Sequence, residues 1–253
     1  MITSLWFYAA AIPVIVIVGL SKGGFLSGVS ILGVPLLSLV IPATEAAAIL
    51  LPVLIAMDMI GVWSFRQSFD KRNLLVLLPG ALIGTGLGWL TAAQVTDAHV
   101  RLIVGVIGIA FTLNGLWQKA RSRAAQPLGK PTGALLGLAA GFTSFISHAG
   151  GPPVQIYLMP QRLPPAIYAG TTVMFFAVVN LLKVVPYASL GLFDTRNLAT
   201  SAALLPAAAL AMLGGVWLAR NVPQEPFYRI ANICLVIVSL ELIRSGLATL
   251  LWH

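Results

Sequence analysis

The chain has 253 residues, of which 58% are hydrophobic and only 9% are charged, and its formal net charge is +8. A water-soluble domain carries about 25% charged residues, so this composition excludes an ordinary soluble fold. The single cysteine excludes an internal disulfide and a cysteine-based metal cluster, and the basic surplus lies largely in loops between apolar runs, so it does not indicate nucleic-acid binding.

Apolar runs long enough to cross a bilayer recur along the sequence. A hydrocarbon core of about 30 Å requires about 20 apolar residues in a helix. The runs of about this length are Ala43–Phe65, Asn73–Ala93, Val100–Trp117, Ile167–Leu190, Asn197–Ala219 and Tyr228–Leu251. They predict an all-α, polytopic helical membrane protein. No basic residue precedes the first apolar run, so a removable signal peptide is not expected.

Two shorter apolar segments, Leu5–Leu20 and Gly28–Ile41, precede the first long run. The glycine-rich stretch "GLSKGGFLSG" begins at Gly19 and joins them, and it contains Lys22, the only charged side chain before Glu45. A helix of 14 residues is only about 21 Å long, which is too short to cross comfortably. The pattern predicts a broken or re-entrant helix pair with a cation at the break.

The sequence contains an internal repeat. The segment "SFDKRNLLVLLP" at 68–79 returns as "LFDTRNLATSAALLP" at 192–206. Upstream of these segments, Gly19, Gly28 and Pro42 match Gly141, Gly150 and Pro164 at a constant offset of 122. We therefore predict a first transmembrane repeat at 1–118, a basic cytoplasmic linker at 119–131 and a second transmembrane repeat at 132–253.

Each repeat consists of a short helix pair followed by three long spans. In the second repeat the short pair surrounds "GFTSFISHAGGPPVQIYLMP" at 141–160. The distribution of Lys and Arg among the loops fits inverted and parallel repeats equally well. Inverted repeats bring both breaks together at mid-depth, and we prefer them for that reason, because matching interrupted segments in two halves indicate a transporter binding site.

The two breaks combine features that attract an anion. Glycines permit close approach to the backbone, and helices that restart near Gly28 and Gly150 present their positive ends. Together with Lys22, the predicted substrate-binding residues at the breaks are Ser21, Gly23, Gly24, Ser27, Gly28, Ser147, His148, Gly150, Gly151 and Gln155. The alternative is that Lys22 extends to the membrane interface and the glycines only allow close helix packing.

Two more charged side chains fall inside long apolar runs. Asp58 is the sixteenth residue of Ala43–Phe65, and the repeat aligns it with Asn180. A carboxylate at this depth is costly unless it is paired, hydrated or protonated, so Asp58 is predicted to couple transport to protons. Lys183 follows Asn180 by one helical turn, and both are predicted to bind substrate. Alternatively, these groups form a structural pair, or Lys183 lies at a helix end near Pro186.

His148 and Gln155 distinguish the second break from the first. His148 could bind an anion or transfer protons, or it could be a hydrogen-bonded packing residue. Gln155 occupies the position of Gly33 in the first repeat. The two halves therefore differ in polarity at this point, which would allow them to select a substrate.

The sequence offers little support for an enzyme. The three histidines lack the spacing of a metalloprotease site, and no metal or other cofactor is expected. Ser147 and His148 are neighbours, and adjacent side chains on a helix diverge, so they do not form a nucleophile–base pair. No phosphate-binding loop of the Walker type is present, so the chain has no ATPase of its own.

The first break, which ends in "GVPLL", and the second, with the pattern G-x-x-S-x-x-x-x-x-G-G-P-P, resemble those of the sulfite exporter TauE/SafE family. This resemblance covers nearly the whole chain. It implies a bacterial inner-membrane permease for sulfur-containing or related organic anions, such as sulfite, sulfoacetate or thiosulfate, driven by the proton-motive force. Family members often have a denser glycine run at the first break, so Lys22 and Ser27 are expected to influence the choice of anion.

The sequence therefore predicts a proton-coupled secondary transporter of a small anion. Its expected partners are the anion, protons and the lipid bilayer, and a homodimer is left open. The alternatives are an anion channel of the same architecture and, less favoured, a membrane assembly factor that binds a protein and moves no solute.

Overall fold

The computed structural model describes residues 2, 4–24, 29–91, 96–120, 127–189 and 191–251. Across these residues the chain is helical and contains no strand. The helices are α1 (Leu5–Lys22), α2 (Gly33–Leu37), α3 (Ala43–Phe65), α4 (Lys71–Thr91), α5 (Asp97–Ala120), α6 (Lys130–Ser147), α7 (Gly151–Leu158), α8 (Pro165–Ser189), α9 (Thr195–Asn221) and α10 (Gln224–Leu251). The predicted all-α class is confirmed.

Six helices in the described part of the chain are long and apolar enough to cross a membrane: α1, α3, α4, α8, α9 and α10. The chain is therefore a multi-pass membrane protein. One difference from the sequence analysis concerns α1, which has 18 residues and qualifies as a span, although we expected a shorter segment there. The helix extends to Lys22 because the glycines that end it lie only after the lysine.

The second member of each short pair is much shorter than the first. A 3-10 turn at Val29–Leu32 precedes the five residues of α2, and α7 has eight residues, or about 12 Å of helix. Each follows an 18-residue helix, α1 or α6. The same order of one long and one short helix thus occurs in both halves. The repeat boundaries and the inverted orientation stay predictions.

The chain divides into two compact units. One contains Met1–Phe69 and Pro165–Pro223, and therefore α1, α2, α3, α8 and α9. The other contains Asp70–Pro164 and Gln224–His253, and therefore α4 to α7 and α10. We refer to them as unit 1 and unit 2. Each unit takes helices from both predicted sequence repeats.

In unit 1, α9 packs against both α1 and α3, and α3 packs against α8. The contact between α1 and α9 is made by small residues: Gly19 faces Ala211, and Gly23 faces Gly215. A Cβ atom added at Gly23 would lie 2.5 Å from the Gly215 Cα. The two backbones therefore touch at the end of α1, and only glycine permits this approach.

In unit 2, α4 packs against α6, and α5 packs against α10. Both α4 and α6 carry glycines four residues apart, which is the small-residue spacing that lets membrane helices approach closely. The glycines in this contact are Gly80, Gly84, Gly88, Gly137 and Gly141. Gly141 is the predicted repeat equivalent of Gly19, and it contacts Ala81 of α4 as Gly19 contacts α9 in unit 1.

The contact between α4 and α6 predicts a contrast between two glycines of one helix. A Cβ at Gly84 would overlap the Leu138 carbonyl oxygen, whereas a Cβ at Gly86 would meet open space. We expect Gly84→Ala to lower the free energy of unfolding by about 1–3 kcal/mol, because α4 and α6 must separate. Gly86→Ala should leave it unchanged or slightly higher, because alanine favours the helix.

Thermal and SDS-induced unfolding of the purified variants in detergent measures this difference. Equal stability of Gly84→Ala and Gly86→Ala would show that the contact between α4 and α6 is not as close as described.

Candidate functional site

Lys22 lies in the last turn of α1, which two glycines terminate. The Gly23 N–H donates to the Gly19 carbonyl at 2.8 Å, and the Gly24 N–H donates to the Ser21 carbonyl at 3.0 Å. Gly24 has a φ of 99°, a left-handed conformation that residues with a Cβ rarely adopt. The helix therefore ends directly after Lys22, and the lysine stays at the helix C-terminus, where the helix dipole favours a cation.

Ser21 fixes the chain that follows the first break. Its hydroxyl oxygen accepts a hydrogen bond from the Ser30 N–H at 2.8 Å, and its side chain is buried. This bond holds the 3-10 turn beside α1. The oxygen of Ser21 thus has a role within the protein, and its contact with a substrate stays a prediction.

A buried ion pair joins α1 to α3. Lys22 Nζ lies 2.7 Å from Asp58 Oδ1, and the two side chains are 8% and 1% exposed. The other carboxylate oxygen, Oδ2, accepts a hydrogen bond from Asn180 Nδ2 of α8, also at 2.7 Å. Asp58 is therefore ion-paired with a lysine of α1 through one oxygen and accepts a hydrogen bond from an amide of α8 through the other.

Lys183 adds a second cation on the same face of α8 as Asn180. It is only 1% exposed and interacts electrostatically with both Lys22 and Asp58. Lys22 also lies above the Phe176 ring, 5.9 Å from its centre. We name Lys22, Asp58, Asn180 and Lys183 the charged cluster. The cluster thus contains two buried lysine side chains and one buried carboxylate.

The pairing of Asp58 with Asn180 also relates the two sequence halves. These residues are 122 positions apart, the offset at which the breaks of the two repeats align. The predicted repeat makes α3 and α8 equivalent helices of the two halves, and in unit 1 they meet at positions that the repeat aligns. Contacts between equivalent positions are expected where two related elements pack about a common axis.

The second break lies in unit 2, at the end of α6. His148 adopts a left-handed conformation with a φ of 55°, and the Ala149 N–H donates to the Thr143 carbonyl at 3.1 Å. The Thr143 hydroxyl donates back to the Ala139 carbonyl at 2.7 Å. His148 is therefore the left-handed residue that terminates α6, a position more often held by glycine.

The helix that restarts at Gly151 offers fewer donors than the sequence analysis assumed. Gly150 is the residue before α7, and Pro152 and Pro153 lie in its first turn. A helix leaves its first four N–H groups free, but proline has none. The first four N–H positions here are those of Gly150, Gly151, Pro152 and Pro153, so only the two glycines contribute free donors. This helix end therefore attracts an anion through its dipole more than through hydrogen bonds.

Gln155 carries an unsatisfied amide in the interior of unit 2. Its side chain is 2% exposed, and neither its nitrogen nor its oxygen has a hydrogen-bond partner among the described residues. Gln155 lies one turn after Gly151 on the same face of α7. A buried amide without partners costs about 1–3 kcal/mol, which a bound polar molecule would recover.

Some predicted residues lie outside what the structure describes. Ser27 and Gly28 fall between the described ranges, and so does the predicted helix start at Gly28. The backbone of Ser147 is described as the last residue of α6, but its side chain is not. Among the described residues no group of three His, Cys, Asp or Glu side chains is arranged to hold a metal ion.

The structure therefore brings four of the predicted residues together in unit 1, namely the charged cluster. Gly150, Gly151, His148 and Gln155 belong to unit 2. A single site formed by both breaks stays a prediction.

The sequence analysis missed two residues that shape the cluster. Gly215 allows α9 to touch the end of α1, and Phe176 lies under Lys22. The sequence signal for Gly215 was the pair of adjacent glycines at 214–215 inside a long apolar run. Phe176 follows no pattern that separates it from other apolar residues of α8.

Comparison with known proteins gives one family. The model of a family described as "Sulfite exporter TauE/SafE" matches residues 11–242. This range contains all four residues of the charged cluster and both breaks. The resemblance noted from the glycine-rich breaks is thereby confirmed. Neither a curated protein nor a solved structure matches the chain.

The charge count of the cluster predicts unequal effects of removing its members. Asp58→Asn leaves two buried lysines without a counter-charge, whereas Lys22→Met leaves Asp58 with Lys183. Because an unpaired buried charge costs about 3–5 kcal/mol, Asp58→Asn should destabilise the protein by that amount and Lys22→Met by less. Lys22→Met combined with Asp58→Asn should be more stable than Asp58→Asn alone.

SDS-induced unfolding of the single and double variants measures these energies. Lys71→Met, which removes an exposed lysine from α4, serves as the control and should change stability by less than about 0.5 kcal/mol. Additive effects of Lys22→Met and Asp58→Asn would contradict the ion pair.

Proposed function

This chain belongs to the sulfite exporter TauE/SafE family, and we propose that it is a secondary transporter that moves a small sulfur-containing or organic anion across the bacterial inner membrane. Sulfite, sulfonates such as sulfoacetate, and thiosulfate are the proposed substrates. The family supports transport as the activity. The single observation that supports an anion as the cargo is the charged cluster, in which two buried lysine side chains accompany one buried carboxylate.

Lys22 and Lys183 are the proposed anion-binding groups. Both are buried on helices of unit 1, and among the described residues one carboxylate, that of Asp58, accompanies them. A buried positive charge without a counter-ion is costly, so an anion that enters the cluster stabilises it. The amide of Asn180 adds a neutral donor next to the two lysines.

Asp58 is the proposed proton-coupling residue. A carboxylate inside a membrane protein, in contact with a lysine, can take up a proton and thereby release its partner. Protonation of Asp58 would end its attraction for Lys22 and leave that lysine available to the substrate. This role requires only that the pair opens and closes during transport.

The second break supplies the other proposed substrate contacts. Gln155, with its unpaired amide, supports a polar ligand in unit 2, and His148 with Gly150 and Gly151 belongs to the same break. Ser21, Gly23, Gly24, Ser27, Gly28 and Ser147 are proposed substrate-binding positions on the weaker ground of sequence alone. Protons and the lipid bilayer are the other proposed partners, and a homodimer is left open.

Uptake of radiolabelled sulfite, sulfoacetate and thiosulfate into proteoliposomes, with and without an imposed pH gradient, tests the proposal. We expect wild type to accumulate at least one of these anions when the gradient is present. Lys22→Ala should abolish uptake because the anion loses a cation. Asp58→Asn should equilibrate the anion without accumulating it.

Lys71→Ala is the matched control, since it removes an exposed lysine and should transport like wild type. Equilibration without accumulation by wild type would instead indicate an anion channel. Absence of flux for every anion would contradict transport of these solutes and favour an assembly factor. Flux unchanged in both Lys22→Ala and Asp58→Asn would show that the charged cluster is only structural.

A further inference from the structure

Two helices of unit 1 carry the same short sequence at their C-terminal ends. The end of α3 reads "GVWSFR" from Gly61 to Arg66, and the end of α9 reads "GVWLAR" from Gly215 to Arg220. The two segments are 154 positions apart, whereas the breaks of the predicted repeats align at an offset of 122. The shared sequence is therefore not a product of that duplication.

The helices α3 and α9 are parallel neighbours, so both segments lie at one end of unit 1. The Ser201 hydroxyl of α9 donates to the Ile49 carbonyl of α3 at 2.8 Å. Further along both helices, the Arg220 guanidinium donates to the Ser64 carbonyl. Because the contacts advance in the same direction on the two helices, their C-terminal ends meet at the same face of the membrane.

A tryptophan lies three residues before the arginine in each segment. The side chains of Trp63 and Trp217 are 69% and 63% exposed, and both helices are long and apolar enough to cross a membrane. Exposed tryptophans near the ends of membrane helices lie at the level of the lipid headgroups. This end of unit 1 is therefore expected to lie at a membrane–water interface.

Both guanidinium groups are fixed at the end of α3. Arg66 Nη1 donates to the Trp63 carbonyl at 3.0 Å, and Arg220 Nη2 donates to the next carbonyl, that of Ser64. Arg66 also lies 4.1 Å from the centre of the Trp63 ring, and Arg220 lies 5.5 Å from that of Phe65. A guanidinium has several N–H donors, so each arginine keeps donors for a ligand.

Neither guanidinium is paired with a carboxylate among the described residues. Three other arginines are, in the pairs Arg162–Glu225, Arg196–Glu45 at 3.7 Å and Arg244–Glu241. Next along the chain from Arg66, the carboxylate of Asp70 accepts hydrogen bonds from the N–H groups of Arg72 and Asn73. The carbonyl end of a helix carries only about half an elementary charge, which does not neutralise a guanidinium.

From this arrangement we propose that the ends of α3 and α9 bind the headgroup phosphate of an anionic phospholipid. Arg66 and Arg220 hold the phosphate oxygens, because the planar fork of a guanidinium matches a phosphate group. Trp63 and Trp217 contact the glycerol and the first part of the acyl chains, which a soluble anion lacks. The site lies about 12 Å along α3 from Asp58 and does not depend on the proposed transport.

Native mass spectrometry of the purified protein in detergent, titrated with phosphatidylglycerol or with phosphatidylcholine of the same acyl chains, tests this proposal. We expect wild type to bind phosphatidylglycerol more tightly, because phosphatidylcholine has no net charge. Arg66→Gln combined with Arg220→Gln should weaken phosphatidylglycerol binding at least about tenfold, since each basic group near an anionic headgroup contributes to affinity. Binding of phosphatidylcholine should change little.

The matched control is Arg196→Gln combined with Arg244→Gln. It removes the same number of positive charges from arginines that have carboxylate partners, and it should bind phosphatidylglycerol like wild type. Arg66→Lys combined with Arg220→Lys keeps both charges but loses the planar forks, so its affinity should fall between those of wild type and the glutamine variant. Glycerol 1-phosphate, a headgroup without acyl chains, should not displace the lipid.

Several outcomes would overturn the proposal. These are equal affinities of wild type for the two lipids, equal losses in the two double glutamine variants, and wild-type affinity in the double lysine variant. Displacement of phosphatidylglycerol by glycerol 1-phosphate would indicate a site for soluble anions and overturn the assignment to a lipid. The double lysine variant tests the same two positions even if the glutamine variant fails to fold.

Discussion

The ion pair between Lys22 and Asp58 is the interaction on which the rest of this structure depends. Two charges in an apolar interior are tolerated only when each has a partner, and here a second buried lysine, Lys183, lies one turn after Asn180 on α8. A protein that needed only stability would do as well with apolar side chains at these positions. The surplus of buried lysine over buried carboxylate is the ground on which we propose an anionic ligand, and it agrees with membership of the sulfite exporter TauE/SafE family.

Backbone packing brings this pair together. Lys22 reaches Asp58 from the C-terminal end of α1, and that end is positioned by the contact of Gly23 with Gly215 of α9. Gly24 then adopts a left-handed conformation that does not continue the helix, so the helix stops at the lysine. The small residues thus contribute to the ion pair indirectly. They permit α1 to pack closely against α9 at the end of α1 that carries Lys22, and Lys22 pairs there with Asp58 of α3.

Much of this could be predicted from the sequence, because a charge inside an apolar run is costly and conspicuous. Lys22, Asp58 and Lys183 were identified on that ground, and the repeat connected Asp58 with Asn180. Periodicity does not reveal which helices become neighbours, so the assembly of α1, α3 and α8 around one carboxylate could not be predicted. For the same reason, the sequence did not reveal that each unit combines helices from both halves of the chain. Pro152 and Pro153 were visible, yet their loss of N–H donors at α7 was overlooked.

The central claim is that Asp58 exchanges its lysine for a proton when an anion binds. Infrared difference spectroscopy of the protein in lipid, with and without thiosulfate, measures this exchange directly through the carbonyl band of a protonated carboxyl group. The account predicts that the band appears on thiosulfate binding in wild type and in Glu45→Gln, and is absent in Asp58→Asn. Thiosulfate binding without this band, with the carboxylate bands unchanged, would contradict it.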